Sequence, residues 1–135
     1  MREVVQIQSS DDVKNEVLCD RARRANIVRS TEFIVIDNDT ELALLSYEDW
    51  SERSEGFVYE IFVLPPYRNN GIGSFLLSYA EDLAIKLGCT RICLKPYSLD
   101  KDIDNQWLIE WYAKKGYQRN TVETEIMEKN LVAAV

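Results

Sequence analysis

The run Val63-Leu64-Pro65-Pro66-Tyr67-Arg68-Asn69-Asn70-Gly71-Ile72-Gly73-Ser74 constrains this chain more than any other stretch. The apolar segment before it, Gly56 to Leu64, reads as a central strand and stops at two prolines, which cannot extend a hydrogen-bonded ladder. After it, Ile72, Leu76, Tyr79, Ala80, Leu83 and Leu87 recur at helical spacing as far as Gly88. The backbone must therefore pass from strand to helix within a few residues. The first turn of a helix carries N–H groups without intrahelical partners, and the macrodipole adds partial positive charge there. Glycine lets an anion approach those groups, and Arg68 adds a fixed charge, so the turn has the character of a phosphate cradle. A P-loop would need a lysine here, and a dinucleotide fingerprint would need glycine where Leu76 stands. The plain alternative is a tight helix start with no ligand.

The remaining elements follow from pattern. Glu3 to Gln8 reads as a first strand, and Ser9-Ser10-Asp11-Asp12 supplies N-cap chemistry for a helix expected over 11–25. Asp37-Asn38-Asp39 separates two β-rich runs as a hairpin turn. Arg91 to Lys95 alternates as a strand. Trp107, Leu108, Trp111 and Tyr112 share one side of a short helix closed by Gly116, and one or two strands should end the chain. The order β-α-β-β-β-α-β-α-β, with room for one more strand, implies a mixed sheet covered by helices. At 135 residues the expectation is one domain, residues 1–135.

Composition narrows the chemistry. There is no histidine, so acid–base work would fall to carboxylate, tyrosine, cysteine or water. Cys19, Cys89 and Cys93 lack metal-ligand rhythm and read as reduced thiols, so no metal is expected. Asp100, Asp102 and Asp104 imitate a calcium loop, but Asn105 and Trp111 occupy the positions that need glycine and glutamate. The net charge is −7, and nine acidic residues lie between Thr31 and Glu60 against one basic residue, Arg53. Such a field disfavours nucleic acid as a partner. It is either a solvated surface or the surroundings of a site for a cationic amine. Arg21, Arg23 and Arg24 read as a solvated helix face. No apolar run approaches the ~20 residues of a membrane span, and no secretory signal opens the chain, so a cytoplasmic location is expected.

Arg68-Asn69-Asn70-Gly71-Ile72-Gly73 resembles the R/Q-x-x-G-x-G/A signature of the GNAT superfamily of acyl-CoA N-acyltransferases. Glu60-Ile61-Phe62-Val63-Leu64 resembles the strand that precedes it, and Tyr112-Ala113-Lys114-Lys115-Gly116-Tyr117 the late Y-x-K-x-G-F/Y element. Asn105 and Ile109 keep register with Tyr112 in an N-x-x-A-I-x-x-Y pattern, and Met127 to Leu131 is similar to a terminal M-x-K-x-L strand. The link from Pro96 to Asn105 is longer than the family pattern, and Leu108 stands where a small residue is common. The segment after the first helix is also short, which leaves the acceptor site open or roofed by the second subunit of a homodimer.

The resemblance implies an α/β (α+β) fold with a mixed, mostly antiparallel sheet, about three flanking helices and a splayed coenzyme-binding cleft. It implies that acetyl-CoA is held by Ile61, Phe62 and Val63 along the strand and by Arg68, Asn69, Asn70, Gly71, Ile72, Gly73 and Ser74 at the diphosphate, with Asn105 at the pantetheine or cofactor end. Tyr112 falls at the position of the general acid. Glu60 is the candidate base, working through water, with Glu48 and Asp49 as fallbacks. The implied reaction is direct transfer of an acetyl group to a primary amine, a small cationic amine or a protein amine. A non-catalytic acyl-CoA-binding or protein-interaction module on the same fold is the alternative. A third reading, acylation of aminoacyl-tRNA, is opposed by the acidic balance.

Overall fold

The computed structural model describes residues 2–131. Its elements are β1 (Arg2–Ile7), α1 (Glu16–Ala25), β2 (Ser30–Asp37), β3 (Thr40–Trp50), β4 (Glu55–Val63), α2 (Ile72–Lys86), β5 (Arg91–Leu94), α3 (Asn105–Lys114), β6 (Gln118–Arg119) and β7 (Met127–Asn130). They form one sheet in the order β1-β2-β3-β4-β5-β7-β6. Every neighbouring pair is antiparallel except β4–β5. The expected mixed sheet with three helices is therefore present, with the additional closing strand. No described helix is long and apolar enough to cross a membrane.

Local chemistry accounts for most boundaries. Asn38 and Asp39 both take positive φ, 51° and 67°, which gives the β2–β3 hairpin the two-residue turn that matches strand twist. The first helix starts at Glu16, later than the sequence predicts. Ser9 and Asp12 close a capping box on a separate single turn at Ser10–Asp12. The chain then extends, and Asn15 caps α1 by accepting from the N–H groups of Val17 and Leu18. On α3, Tyr112 is buried but Trp107 is half exposed and stacks on Trp111, so the expected apolar side is narrower than its four residues. Leu87 lies beyond the last turn of α2 and is likewise exposed.

Each sheet face carries its own core. Leu18 and Ala22 of α1 pack with Ile34, Leu44 and Phe62 on one face, while Leu76, Leu77 and Ala80 of α2 pack with Val35, Leu45, Val58 and Ile92 on the other. Two departures from regularity lie in β4. Ser46 is opposite Glu60 but Tyr47 is opposite Val58, so Tyr59 is an unmatched residue, a β-bulge. The bulge switches the face on which alternate residues lie: Val58 belongs to the α2-side core, Phe62 to the α1-side core. In addition, β5 pairs with β4 only from Glu55↔Arg91 to Val58↔Leu94. Pro96 follows almost at once and has no N–H to give the ladder. From Glu60 to Val63, β4 has a partner on the β3 side alone.

Gly56 makes a close approach of a different kind. A Cβ there would collide with the Tyr47 hydroxyl and come within 3.0 Å of Ala84 Cβ. Among the described residues, that hydroxyl is the one fully buried side-chain polar atom without a hydrogen-bond partner. Gly56→Ala is expected to cost about 2 kcal/mol, as overpacking typically does. Tyr47→Phe should recover much of that loss in the double variant, because it removes the colliding atom. Urea unfolding of the two single variants and the double variant checks this coupling.

Candidate active site

The unequal lengths of β4 and β5 leave a gap between their C-terminal ends. The Leu64 N–H donates to the Leu42 carbonyl at 3.0 Å, so the even-numbered residues of this stretch bond toward β3. By antiparallel alternation, Ile61 and Val63 turn their main-chain groups toward the gap. Consistent with this, the Val63 carbonyl accepts from Arg68 Nε at 2.8 Å.

Beyond Val63 the chain makes a 3₁₀ turn over Pro65–Tyr67 and enters the glycine turn. Asn69 and Gly71 take left-handed φ of 66° and 78°. Asparagine tolerates that region and glycine is at home in it. Gly71 is the N-cap of α2 and offers no side chain, whereas Asn15 and Asp104 cap α1 and α3. The first-turn N–H groups of α2 are thus left facing the open side, where nothing lies within 4 Å of the position a Gly71 Cβ would occupy. Gly73 serves another purpose: the Trp111 ring comes within 3.5 Å of where its Cβ would be, seating α3 against the turn. Arg2 of β1 joins the site by donating to the Asn70 carbonyl at 2.8 Å. An uncapped helix start, open space before it and adjacent guanidinium groups fit a diphosphate, and a free strand edge fits the peptide-like arm of coenzyme A.

Glu60 and Tyr112 stand beside the gap. The Glu60 carboxylate is paired with Arg21 of α1, whose guanidinium lies 3.8 Å from the centre of the Phe62 ring. Burial pushes Glu60 above the ordinary carboxylate range; Arg21 and Arg24 pull it down and Asp100 pushes it up, and the net direction is upward. Tyr112 rings contact Trp111 and Tyr117 edge-on, at 5.0 and 5.6 Å. Burial, reinforced by the negative charge of Glu60, pushes its phenol up, so it keeps its proton at neutral pH. Its hydroxyl makes no hydrogen bond in the protein and is not fully enclosed, so it opens on accessible space.

Arg68, the sequence's candidate phosphate ligand, is already engaged. Its guanidinium pairs with Asp100 at 2.7 Å and lies 5.3 Å from the Phe62 ring centre. Asn105 is the first residue of α3, with Asp104 as its cap, and its Oδ1 accepts the Ser98 N–H at 2.7 Å. Glu48 and Asp49 lie on the far side of the bulge and are held locally, Glu48 by Trp50 Nε1 at 3.0 Å and Asp49 by the Ser51 N–H at 2.8 Å. Much of the acidic run is used in the same way: Glu41 caps Asn15, Glu52 pairs with Arg29 and Glu55 with Arg91. A depression of about 270 Å³ lies over the paired part of β4 and β5, lined by Glu48, Phe57, Cys93 and Glu128 among others, and includes neither Glu60 nor Tyr112.

Three residues of this region escaped the sequence reading: Arg2, Arg21 and Asp100. Arg21 had a signal, since it lies on the Leu18–Ala22–Ala25 stripe that α1 buries, unlike Arg23 and Arg24. Nothing local marks Arg2 or Asp100.

A mixed sheet splayed beside a bulged strand, with a glycine turn opening the following helix, defines an acyltransferase-type fold. The sequence model of the acetyltransferase (GNAT) family matches residues 1–117. The chain belongs to that family. Solved structures agree. The ribosomal-protein-S18-alanine N-acetyltransferase of Escherichia coli superposes with a TM-score of 0.71 at 18% identity, over 100% of this chain and 97% of that one. An IAA acetyltransferase of Bacillus cereus gives 0.73 at 13%, over 97% and 100%. The N-acetylglutamate synthase of Neisseria gonorrhoeae, complexed with coenzyme A and N-acetyl-glutamate, gives 0.69 at 15%, over 98% of this chain and 35% of that one. No curated protein matches the chain in sequence.

Because the folded pKa of Glu60 is raised, its contribution to stability is present below its unfolded pKa and is lost as pH rises through the folded value. Glu60→Gln is therefore expected to gain stability relative to wild type as pH rises from about 4, the range of an unfolded carboxylate, through the folded value. Urea midpoints of both proteins across that window check the sign.

Proposed function

We propose that this protein is an N-acetyltransferase that moves an acetyl group from acetyl-CoA to a primary amine by direct attack within a ternary complex. The observation that carries the reading is the pairing of an accessible, protonated tyrosine hydroxyl with a buried carboxylate beside a strand edge left unpaired. An acyl thioester held there supplies the activated carbonyl. Main-chain groups of Ile61 and Val63 hold the amides of its pantetheine arm, with Phe62 between them fixing the strand. The N–H groups of the Asn69–Ser74 turn hold the diphosphate, with Arg68 and Arg2 adding charge. Asn105, at the start of α3, holds the pantetheine or cofactor end.

A lysine-like amine, with a pKa of ~10.4, arrives mostly protonated and must lose a proton before it attacks. Glu60 takes that proton through water, and its upward shift brings it closer to neutral pH, where a base works best. As the N–C bond forms and the C–S bond breaks, the Tyr112 hydroxyl gives its proton to the departing sulfur. Glu60 reaches the water from the α1 side of the sheet and Tyr112 lies in the α2-side core, so the two proton transfers take place on different walls of the gap.

Calorimetry with acetyl-CoA tests the coenzyme site first. Wild type is expected to bind, and Gly71→Trp, which fills the open space, to lose binding while staying folded by circular dichroism. In turnover assays with an amine panel, Tyr112→Phe and Glu60→Gln should each lower kcat by about 100-fold or more, the usual worth of a positioned acid or base. The acid limb of kcat/KM should lie above 4.5 and disappear in Glu60→Gln. Binding without turnover of any amine would instead assign a non-catalytic acyl-CoA-binding module.

A further inference from the structure

Two ion pairs lie beside the Phe62 ring. Arg21 and Arg68 both place guanidiniums over it, at 3.8 and 5.3 Å from its centre. Arg21 is bound to Glu60 and Arg68 to Asp100. All four are largely shielded, with side chains between 10% and 24% exposed. They come from four parts of the chain: α1, β4, the turn before α2 and the loop before α3. Asp100 is fixed at the base of its loop, accepting the Asp102 N–H at 3.0 Å while its own N–H donates to Ser98 Oγ at 3.0 Å. Through Arg68 it bridges the β4 side of the cleft mouth to the β5 side.

Asp100 thus occupies the guanidinium that a diphosphate would use. With Nε given to Val63 and Nη2 to Asp100, a diphosphate drawing on the same guanidinium competes with the carboxylate for its paired donors. The released carboxylate has a second cation at hand. The Arg21 guanidinium stands over the same Phe62 ring as that of Arg68, at 3.8 against 5.3 Å from its centre; in keeping with that nearness, burial pushes Asp100 up but the Asp102 N–H, Arg68 and Arg21 together hold it below the ordinary range. We propose that Asp100 is a positioning residue: it holds Arg68 until coenzyme binds, then turns to Arg21 and loosens that arginine from Glu60, so that the base is released only when the cofactor is in place.

The groups facing Glu60 make the exchange effective. From α1 come Arg21 and Arg24, from the loop before α3 comes Asp100, and from α3 comes Tyr112. Ser46 lies opposite on β3 but donates its hydroxyl to Glu32 at 2.8 Å, so it does not hold Glu60. Among the described residues, Arg21 is the one cation bonded to the Glu60 carboxylate, and Asp100 is the acid that acts on Glu60 from across the cleft mouth.

This inference rests on the coenzyme site proposed above, and calorimetry with coenzyme A on the full chain separates the two. Asp100→Asn is expected to bind coenzyme A about 3- to 10-fold more tightly than wild type, since no carboxylate competes. Asp100→Ala repeats the comparison with a side chain that cannot accept from Arg68 at all. In the Arg68→Gln background the gain should vanish. Carbon-13 NMR of labelled glutamate side chains supplies the second readout. The Glu60 titration midpoint should move upward on adding coenzyme A to wild type and stay put in Asp100→Ala. Equal or weaker binding by both Asp100 variants, or an equal midpoint shift in wild type and Asp100→Ala, overturns the proposal while leaving the coenzyme site standing. If neither wild type nor the Asp100 variants bind coenzyme A, the coenzyme site falls and the inference falls with it.

Discussion

The site depends on β5 ending before β4 does. Two parallel strands of equal length would saturate each other's main-chain groups, and nothing peptide-like could enter between them. Here Pro96 withholds a donor shortly after Leu94, and the bulge at Tyr59 bends β4 away at the level where pairing stops. The bulge has a second effect. It puts Val58 with the α2-side core and Phe62 with the α1-side core, and so delivers the intervening Glu60 to Arg21. Without the extra residue, strand alternation would place Glu60 on the same face as Val58, among the apolar side chains of α2.

The environments of Glu60 and Tyr112 are shaped by the same burial but with different consequences. For a phenol, burial preserves the neutral form it must already hold to give up a proton. For a carboxylate, burial opposes the ionised form it needs to accept one, so an arginine has to offset part of the desolvation. An unpaired Glu60 in that position would be protonated too readily to act as a base at low pH. A Glu60 fixed to Arg21 at every stage would lose part of the upward shift that burial gives it. An ion pair that can be loosened lies between those limits, and its cost to the fold is the raised folded pKa itself.

How much of this the sequence discloses depends on how local each cause is. The glycine turn, the hairpin at Asn38-Asp39, the strand before the prolines and the α3 helix are set by residues adjacent in sequence, and they stand where pattern puts them. The start of α1 was misjudged because Ser9 and Asn15 are both competent caps, and only tertiary packing of the intervening residues, with Val13 in the core, decides which one opens the helix. The bulge at Tyr59 has no signature in its own residues; it is a mismatch between two strands. The Arg68–Asp100 and Arg21–Glu60 pairs span 32 and 39 residues, and pairing over such separations is fixed by the assembled sheet. The acidic run between Thr31 and Glu60 shows the converse. Read along the chain it is a single negative field, yet in the fold Glu41 caps a helix start and Glu32, Glu52, Glu55 and Glu60 each bind a separate donor.

That dispersal matters for a protein whose net charge is −7. A polyanionic ligand approaching such a surface feels repulsion at long range only weakly, because exposed charges farther away than a Debye length of about 8 Å are largely screened at physiological salt. What decides binding is the field inside the turn. There the uncapped N–H groups of α2, the guanidinium of Arg68 and Arg2 beside Asn70 supply positive charge, and among the described residues Asp100 is the one carboxylate bonded to them. An acid in that position works against an anionic ligand unless it has somewhere else to go, and Arg21, over the same Phe62 ring as Arg68, offers a destination. In the function proposed above, the same carboxylate would link occupancy of the turn by coenzyme to the state of Glu60.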